Sequence, residues 1–231
     1  MKPWIHLDTA DVPGGSTQLR LMQRDDEFSI MLGTNELMNS RLSGSEHALA
    51  ELASKRIGAR DRPKILIGGL GMGFTLRAAL ASFPADAEIV VAELVPEVVA
   101  WAHGPLAPVF GSCLADPRVS VINSDVGLLI SSARLDYDAI LLDVDNGPDG
   151  VSRAQNDQLY GAAGLKAAWA ALRPDGLLAV WSSGPSPSFS RRLLTGNFSV
   201  EEVKVRARTG GRGARHLIWL ATKREGPKGR G

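Results

Sequence analysis

Apolar positions change their period several times along the chain. Near the start they alternate: Leu19, Leu21 and Met22 precede Asp25-Asp26, and Phe28, Ile30 and Leu32 follow it. That pattern predicts a hairpin turning at the two aspartates. A further short strand near 36–39 completes a small antiparallel lid, assigned to residues 1–42. Next, Ser43-Gly44-Ser45-Glu46 offers a capping box, and Leu49, Leu52, Ala53 and Ile57 mark one face of a helix that Gly58 ends. From Lys64 onward short aliphatic runs alternate with helical periods. Strands are expected near 64–68, 88–93, 118–122, 137–143 and 176–182, and helices near 73–83, 95–103, 125–132, 154–172 and 187–195. Pro96 suits a first helical turn, and Pro174-Asp175-Gly176 is a turn leading into the fifth strand. Two last strands, 200–205 and 216–221, enclose a loop rich in glycine and arginine.

Strand and helix in regular alternation specify an α/β fold, with helices on both faces of a mostly parallel sheet. The terminal antiparallel hairpin brings the sheet to seven strands. It marks a Rossmann-like fold of the class I methyltransferase type, here assigned to residues 43–222, rather than a dehydrogenase. A basic tail, 223–231, is expected to be disordered.

Composition narrows the class. Hydrophobic residues make up 44% and charged residues 22%, as in a soluble globular protein. The single cysteine, Cys113, excludes an internal disulfide and a cysteine-based zinc cluster, and no metal is expected. No apolar run nears the roughly 18 residues of a membrane span, and the opening residues are unlike a signal peptide, so a cytoplasmic enzyme is expected. Charge is unevenly spread: nine of the 26 Lys and Arg residues fall in 203–231 with Glu225 the one acid there. Arg206, Arg208, Arg212 and Arg215 could meet phosphates, but few aromatics are interleaved with them, which disfavours a nucleic-acid partner.

The candidate chemistry gathers where strands end, since ligands of such sheets lie beyond the carboxyl ends of the strands. After the first strand come Gly69, Leu70, Gly71, Met72 and Gly73, a glycine turn opening a helix that can lie bare against a nucleotide. The second strand ends in Glu93, followed by Leu94, at the offset of a ribose-binding acid. The third leads to Asp125 and Val126; Asp125 suits both a helix cap and an acceptor for an adenine amino group. The fourth ends in Asp143-Val144-Asp145-Asn146-Gly147-Pro148-Asp149, three carboxylates that need a cation, a proton or a donor. One of these carboxylates could serve as a base, and Asp145, Asn146, Tyr160, Trp181 and Ser182 are candidates for the acceptor pocket. Tyr160 and Trp181 suit the core equally well. Cys113, His103 and His216 carry no readable role.

On these motifs the chain resembles the spermidine synthase family, the polyamine aminopropyltransferases, over nearly its whole length. Gly73-Phe74-Thr75-Leu76-Arg77 answers the end of the family's glycine motif, Gly-Gly-Thr-Leu-Arg. The resemblance implies Glu93 as ribose acid, Asp125 at the adenine, and Asp143 as the proposed base in aminopropyl transfer. It also implies a homodimer and a small-molecule acceptor. Three departures stand out. Met72 occupies the place of an Asp that holds the amino group of decarboxylated S-adenosylmethionine, Asn146 that of a polyamine-binding Asp, and Ser45-Glu46-His47 that of Tyr-His-Glu. The expectation is therefore a transferase using S-adenosylmethionine or its decarboxylated form, with methyl transfer favoured. Aminopropyl transfer from decarboxylated S-adenosylmethionine to putrescine and a non-catalytic ligand-binding role are the alternatives.

Overall fold

The computed structural model describes residues 2–15, 17–41, 43–144, 147–148, 158–207 and 213–224. The first strands, β1 (Ile5–Asp11), β2 (Gln18–Arg24), β3 (Glu27–Leu32) and β4 (Asn35–Asn39), form an antiparallel sheet in that order. Its central hairpin turns where expected. Asp25 takes a φ of 56°, which Asp tolerates better than most residues. Beside the turn, Arg24 and Glu27 pair at 2.7 Å. β1 was not expected. Ile5 and Leu7 on it are exposed and Ala10 is its one buried residue, so it lacks the apolar alternation that announces a strand.

Helix α1 (Gly44–Ile57) follows and ends at Gly58 with φ 66°. The capping box is not made. Ser43 is the cap residue, but its side chain makes no capping bond, and the Glu46 carboxylate accepts from the Ser45 hydroxyl instead.

The main sheet contains β5 (Lys64–Gly68), β6 (Glu88–Glu93), β7 (Val119–Asn123), β8 (Tyr137–Leu142), β9 (Leu172–Ser182), β10 (Phe198–Arg206) and β11 (Arg215–Lys223). Its order is β10-β11-β9-β8-β5-β6-β7, with β11 antiparallel to both its neighbours and the other pairings parallel. The expected seven-stranded α/β architecture is thus the observed one. The helices are α2 (Phe74–Ser82), α3 (Pro96–His103), the short α4 (Ala107–Phe110), α5 (Val126–Ser132), α6 (Ala162–Ala171) and α7 (Pro187–Thr195). Of the helix expected over 154–172, residues 158–160 are helical, Gly161 interrupts, and Ala162–Ala171 continues it; positions 154–157 lie outside the described residues.

Two boundaries move for physical reasons. β9 starts at Leu172, not near 176: Tyr137 pairs with Leu172 and Ala139 with Leu177, so Pro174-Asp175-Gly176 is an irregularity inside the strand. Asp175, at φ 56°, makes the bend. Lys223, assigned to the tail by sequence, ends β11. Its ammonium donates to the Leu172 carbonyl at 2.6 Å and sits 4.0 Å from the Trp169 ring centroid. It is buried and belongs to no basic surface.

Apolar side chains fill both faces of the sheet. Ile65, Ile67 and Leu141 join Leu49 of α1, Leu76 of α2 and Trp101 of α3 in one cluster. Leu66 and Ile140 join Tyr160, Leu165, Phe189 and Trp219 in the other. Among the described residues no helix is long and apolar enough to cross a membrane.

Candidate active site

The sheet order reverses at β5, and that is where the acids meet. Gly68 is in register with Ala92 on one side and Leu142 on the other. The next residues of the flanking strands, Glu93 and Asp143, therefore stand either side of the turn that Gly69 begins. Backbone bonds hold this level: Gly69 donates to the Ala92 carbonyl at 2.9 Å and Asp143 to the Gly68 carbonyl at 3.0 Å. Gly69 has φ 91°, and a Cβ there would lie 2.5 Å from the Asp143 carbonyl oxygen, so only glycine fits.

On the side where a Cβ would stand, the other glycines of the turn face protein. A Cβ on Gly71 would meet Met38 of β4, and one on Gly73 would meet the Phe110 ring. The N-terminal sheet thus touches the glycine turn through Met38. Leu70 and Met72 are buried, Met72 completely, and both belong to the α1 face of the core. Met72, at the place where the resemblance implies a donor-holding Asp, thus fills the core instead.

Glu93 is buried and bridges two segments. One carboxylate oxygen accepts from Leu70 N and the other from Val95 N, each at 2.9 Å. Burial pushes its pKa up, opposed by the N–H groups of Val95, Leu70, Gly71 and Leu94. Leu94 is half-buried beside it, and its carbonyl and that of Glu93 face the Asn123 amide. Asp125 caps α5, accepting from Gly127 N at 2.7 Å, and remains exposed. Its cap role is realised, and an exposed carboxylate keeps lone pairs for a ligand. Val126 is buried against Gly68.

Asp143 keeps partial exposure, yet its carboxyl is pushed up to about 7. Burial is the largest cause and the charge of Glu46 the next. The Thr75 hydroxyl, donating to Asp143 at 2.6 Å, opposes both. Glu46 is itself raised, chiefly by burial. Among the described residues neither acid has an ion-pair partner. Two acids with raised pKa values and no counter-charge suit a cationic ligand.

The acceptor candidates divide. Asp145 and Asn146 lie outside the described residues. Tyr160 is buried in the opposite face of the sheet, edge-on to Phe189 with centroids 5.5 Å apart, the core position that the sequence equally allowed. Trp181 is on the α1 face at the end of β9, edge-on to His216 at 4.9 Å. Ser182 is buried, donates to the Gly184 carbonyl at 2.9 Å, and fills the space a Gly147 side chain would need. Sequence reasoning missed Thr75 and Glu46. Both stood in quoted motifs, but only the fold brings α1 and α2 to the end of β8.

No family model matches the chain. Polyamine aminopropyltransferase 1 of Streptomyces coelicolor is 30% identical over 149 residues, covering 61% of this chain and 27% of that protein. The polyamine aminopropyltransferase of Corynebacterium efficiens is 36% identical over 103 residues, 43% of this chain and 19% of that protein. The match thus spans about a quarter of the first relative and a fifth of the second. Among solved structures, spermidine synthase from Thermotoga maritima superposes with a TM-score of 0.71 at 17% identity, covering 96% of this chain and 74% of that one. A spermidine synthase in complex with the transition state analogue AdoDATO gives 0.74 at 17% identity, over 96% and 75%. A probable spermidine synthase from Corynebacterium glutamicum gives 0.67 at 14%, over 100% and 84%. The chain therefore has the fold of spermidine synthases, as its motifs implied. Neither curated relative is a methyltransferase, so the preference for methyl transfer gains no support and the aminopropyl alternative fits better.

Proposed function

We propose that this chain is a transferase moving an aminopropyl group from decarboxylated S-adenosylmethionine to a small amine, with a diamine such as putrescine as acceptor. One observation carries the reading: Glu93 and Asp143 flank the glycine turn at one level of the sheet, and among the described residues neither Asp143 nor Glu46 is paired with a basic side chain. Two polyamine aminopropyltransferases among the relatives support the same chemistry.

The residues divide the work. Glu93, already fixed by Leu70 N and Val95 N, presents its remaining lone pairs to ribose hydroxyls. Asp125 takes the adenine amino group while capping α5. Gly69 to Gly73 line the donor with backbone. The donor supplies a carbon already activated by a sulfonium, so positioning accounts for much of the rate. What remains for the protein is the acceptor's proton, because an ammonium has no lone pair with which to attack. Asp143 takes it; a carboxyl near 7 is suited to that task at neutral pH. Asp143 and Glu46 also supply negative charge that Met72 lacks, which offsets the cost of drawing ammonium groups out of water.

The test uses the full chain, decarboxylated S-adenosylmethionine and putrescine, with spermidine and methylthioadenosine measured as products. Calorimetric titration compares that donor with S-adenosylmethionine. Preference for the decarboxylated donor, with both products formed, is expected. Tighter binding of S-adenosylmethionine with no spermidine would overturn the reading, and absence of binding by either would move the chain to a non-catalytic role.

A further inference from the structure

The first turn of α1 is joined to the terminal hairpin through Ser45 and His216, two side chains that the mechanism above leaves unused. Ser45 is buried. Its Oγ lies 2.9 Å from His216 Nδ1 and 2.8 Å from the Glu46 carboxylate. His216, second residue of β11, is half-buried, and the edge-on Trp181 ring at 4.9 Å fixes its plane. Nε2 makes no hydrogen bond among the described residues. At the other end, Glu46 belongs to the helix packed on β8, and its charge is felt at Asp143.

A hydroxyl between a carboxyl and an imidazole has two proton arrangements. Either His216 Nδ1–H donates to Ser45 and Ser45 to a Glu46 carboxylate, or a protonated Glu46 donates to Ser45 and Ser45 to a bare Nδ1. The two interconvert when a proton enters one end of the row and another leaves by the far end. Burial supports the exchange, since it raises the Glu46 carboxyl and lowers the His216 imidazole and so brings their proton affinities closer.

We propose that Glu46, Ser45 and His216 form a proton relay that carries the acceptor's proton from the Asp143 side of the site to the half-exposed imidazole on the terminal hairpin. The proposal rests on the transfer reading above. The ammonium N–H bond breaks and its electron pair stays on nitrogen, which becomes the nucleophile. The proton passes from Asp143 toward Glu46, on the helix packed against β8, whose charge helps raise the Asp143 carboxyl. Glu46 passes it to Ser45 Oγ as the hydroxyl's own proton moves to His216 Nδ1. The imidazolium then releases its Nε2 proton to water and regains its first tautomer by exchange. No electrons change hands. Ser45 and His216 act through Glu46 and touch no substrate, so they are positioning and relay groups.

The experiment has two arms. In the first, Ser45→Ala, Ser45→Thr and His216→Ala are assayed for aminopropyl transfer. Ser45→Ala and His216→Ala are expected to lower kcat about tenfold or more with KM for the donor unchanged. Ser45→Thr keeps the hydroxyl and the rate, and added imidazole restores His216→Ala. Unchanged kcat in both alanine variants, or losses that neither threonine nor imidazole repairs, would overturn the relay. The second arm needs no turnover. In the free wild-type protein, His216 ring-nitrogen NMR shifts should follow the titration of the Glu46 carboxyl, and Ser45→Ala should uncouple them; identical curves in the two proteins reject the relay. Failure of wild-type protein to make spermidine counts against the function alone, and the NMR arm still decides the relay.

Discussion

The Thr75 hydroxyl donates to the Asp143 carboxylate at 2.6 Å, tying the second residue of α2 to the end of β8. That bond favours the charged acid, against burial and the charge of Glu46, which together hold the carboxyl near 7. A hydrogen bond to a charged group is worth roughly 1.5–3 kcal/mol, or about one to two pK units. Thr75→Val should therefore move the acidic limb of the kcat–pH profile to higher pH by about one unit. Activity at pH 7 falls, and is recovered at pH 9. A profile that keeps its wild-type limb would remove Thr75 from the control of Asp143.

The same carboxyl links stability to pH. Its folded pKa, about 7, lies above the 3.8 of an unperturbed Asp. Between those values the folded state holds a proton that the unfolded state has lost, so stability declines as pH rises through this window. Asp143→Asn removes the liability. The variant should melt at a higher temperature than wild type at pH 8, with the difference vanishing near pH 4, while its transfer activity is lost. Melting curves at the two pH values and one rate assay check this; retention of full turnover would sink the assignment of Asp143 as base.

The apolar periods and the glycine turn were legible because they are local. Runs such as Ile65-Leu66-Ile67 and Ile140-Leu141-Leu142 are buried on both faces, and their sequence says so without reference to anything distant. Glu93 and Asp143 could be read as strand ends for the same reason. Bonds that join remote positions leave no such trace. Ser45 and His216 stand 171 residues apart, and Ser45 looked like a spacer between Ser43 and Glu46, the two halves of a capping box. Asp138, buried at the start of β8, accepts from Arg60 and Arg173 at 2.7 and 2.6 Å, a three-way pairing that no window of sequence contains. Tyr160 shows the converse case. An aromatic near an acidic loop suits a ligand contact or the core alike, and only the crossing of the chain to the other face of the sheet places it against Phe189.

Two glycines of the turn should differ when given a methyl group. At Gly73, with φ 73°, the new Cβ would lie 2.5 Å from the rigid Phe110 ring. Left-handed strain of about 1–2 kcal/mol adds to overpacking of about 1–3 kcal/mol. At Gly71 the atoms in the way are the end of Met38, a flexible side chain that can swing aside. Gly73→Ala should cost about 2–5 kcal/mol in chemical denaturation, and Gly71→Ala about 1–2 kcal/mol. Phe110→Ala combined with Gly73→Ala should recover part of the loss beyond additivity, and simple additivity would show that the ring is not the obstacle.

Glu93→Gln tests whether the carboxylate holds the site or merely lies in it. Both oxygens are in use, on Leu70 N and Val95 N at 2.9 Å, and an amide has only one oxygen to offer. Its NH2 group would face one of the two N–H donors, leaving that buried donor unpaired at a cost of about 1–3 kcal/mol. The glycine turn and the segment after β6 then lose their common anchor, and the lone pairs proposed for the ribose go with it. The variant should bind decarboxylated S-adenosylmethionine at least about tenfold more weakly by calorimetry, in line with that range. It should also melt earlier than wild type with no donor present. A fall in donor affinity without any change in melting would mean that Glu93 serves the ligand alone, and that other contacts shape the turn.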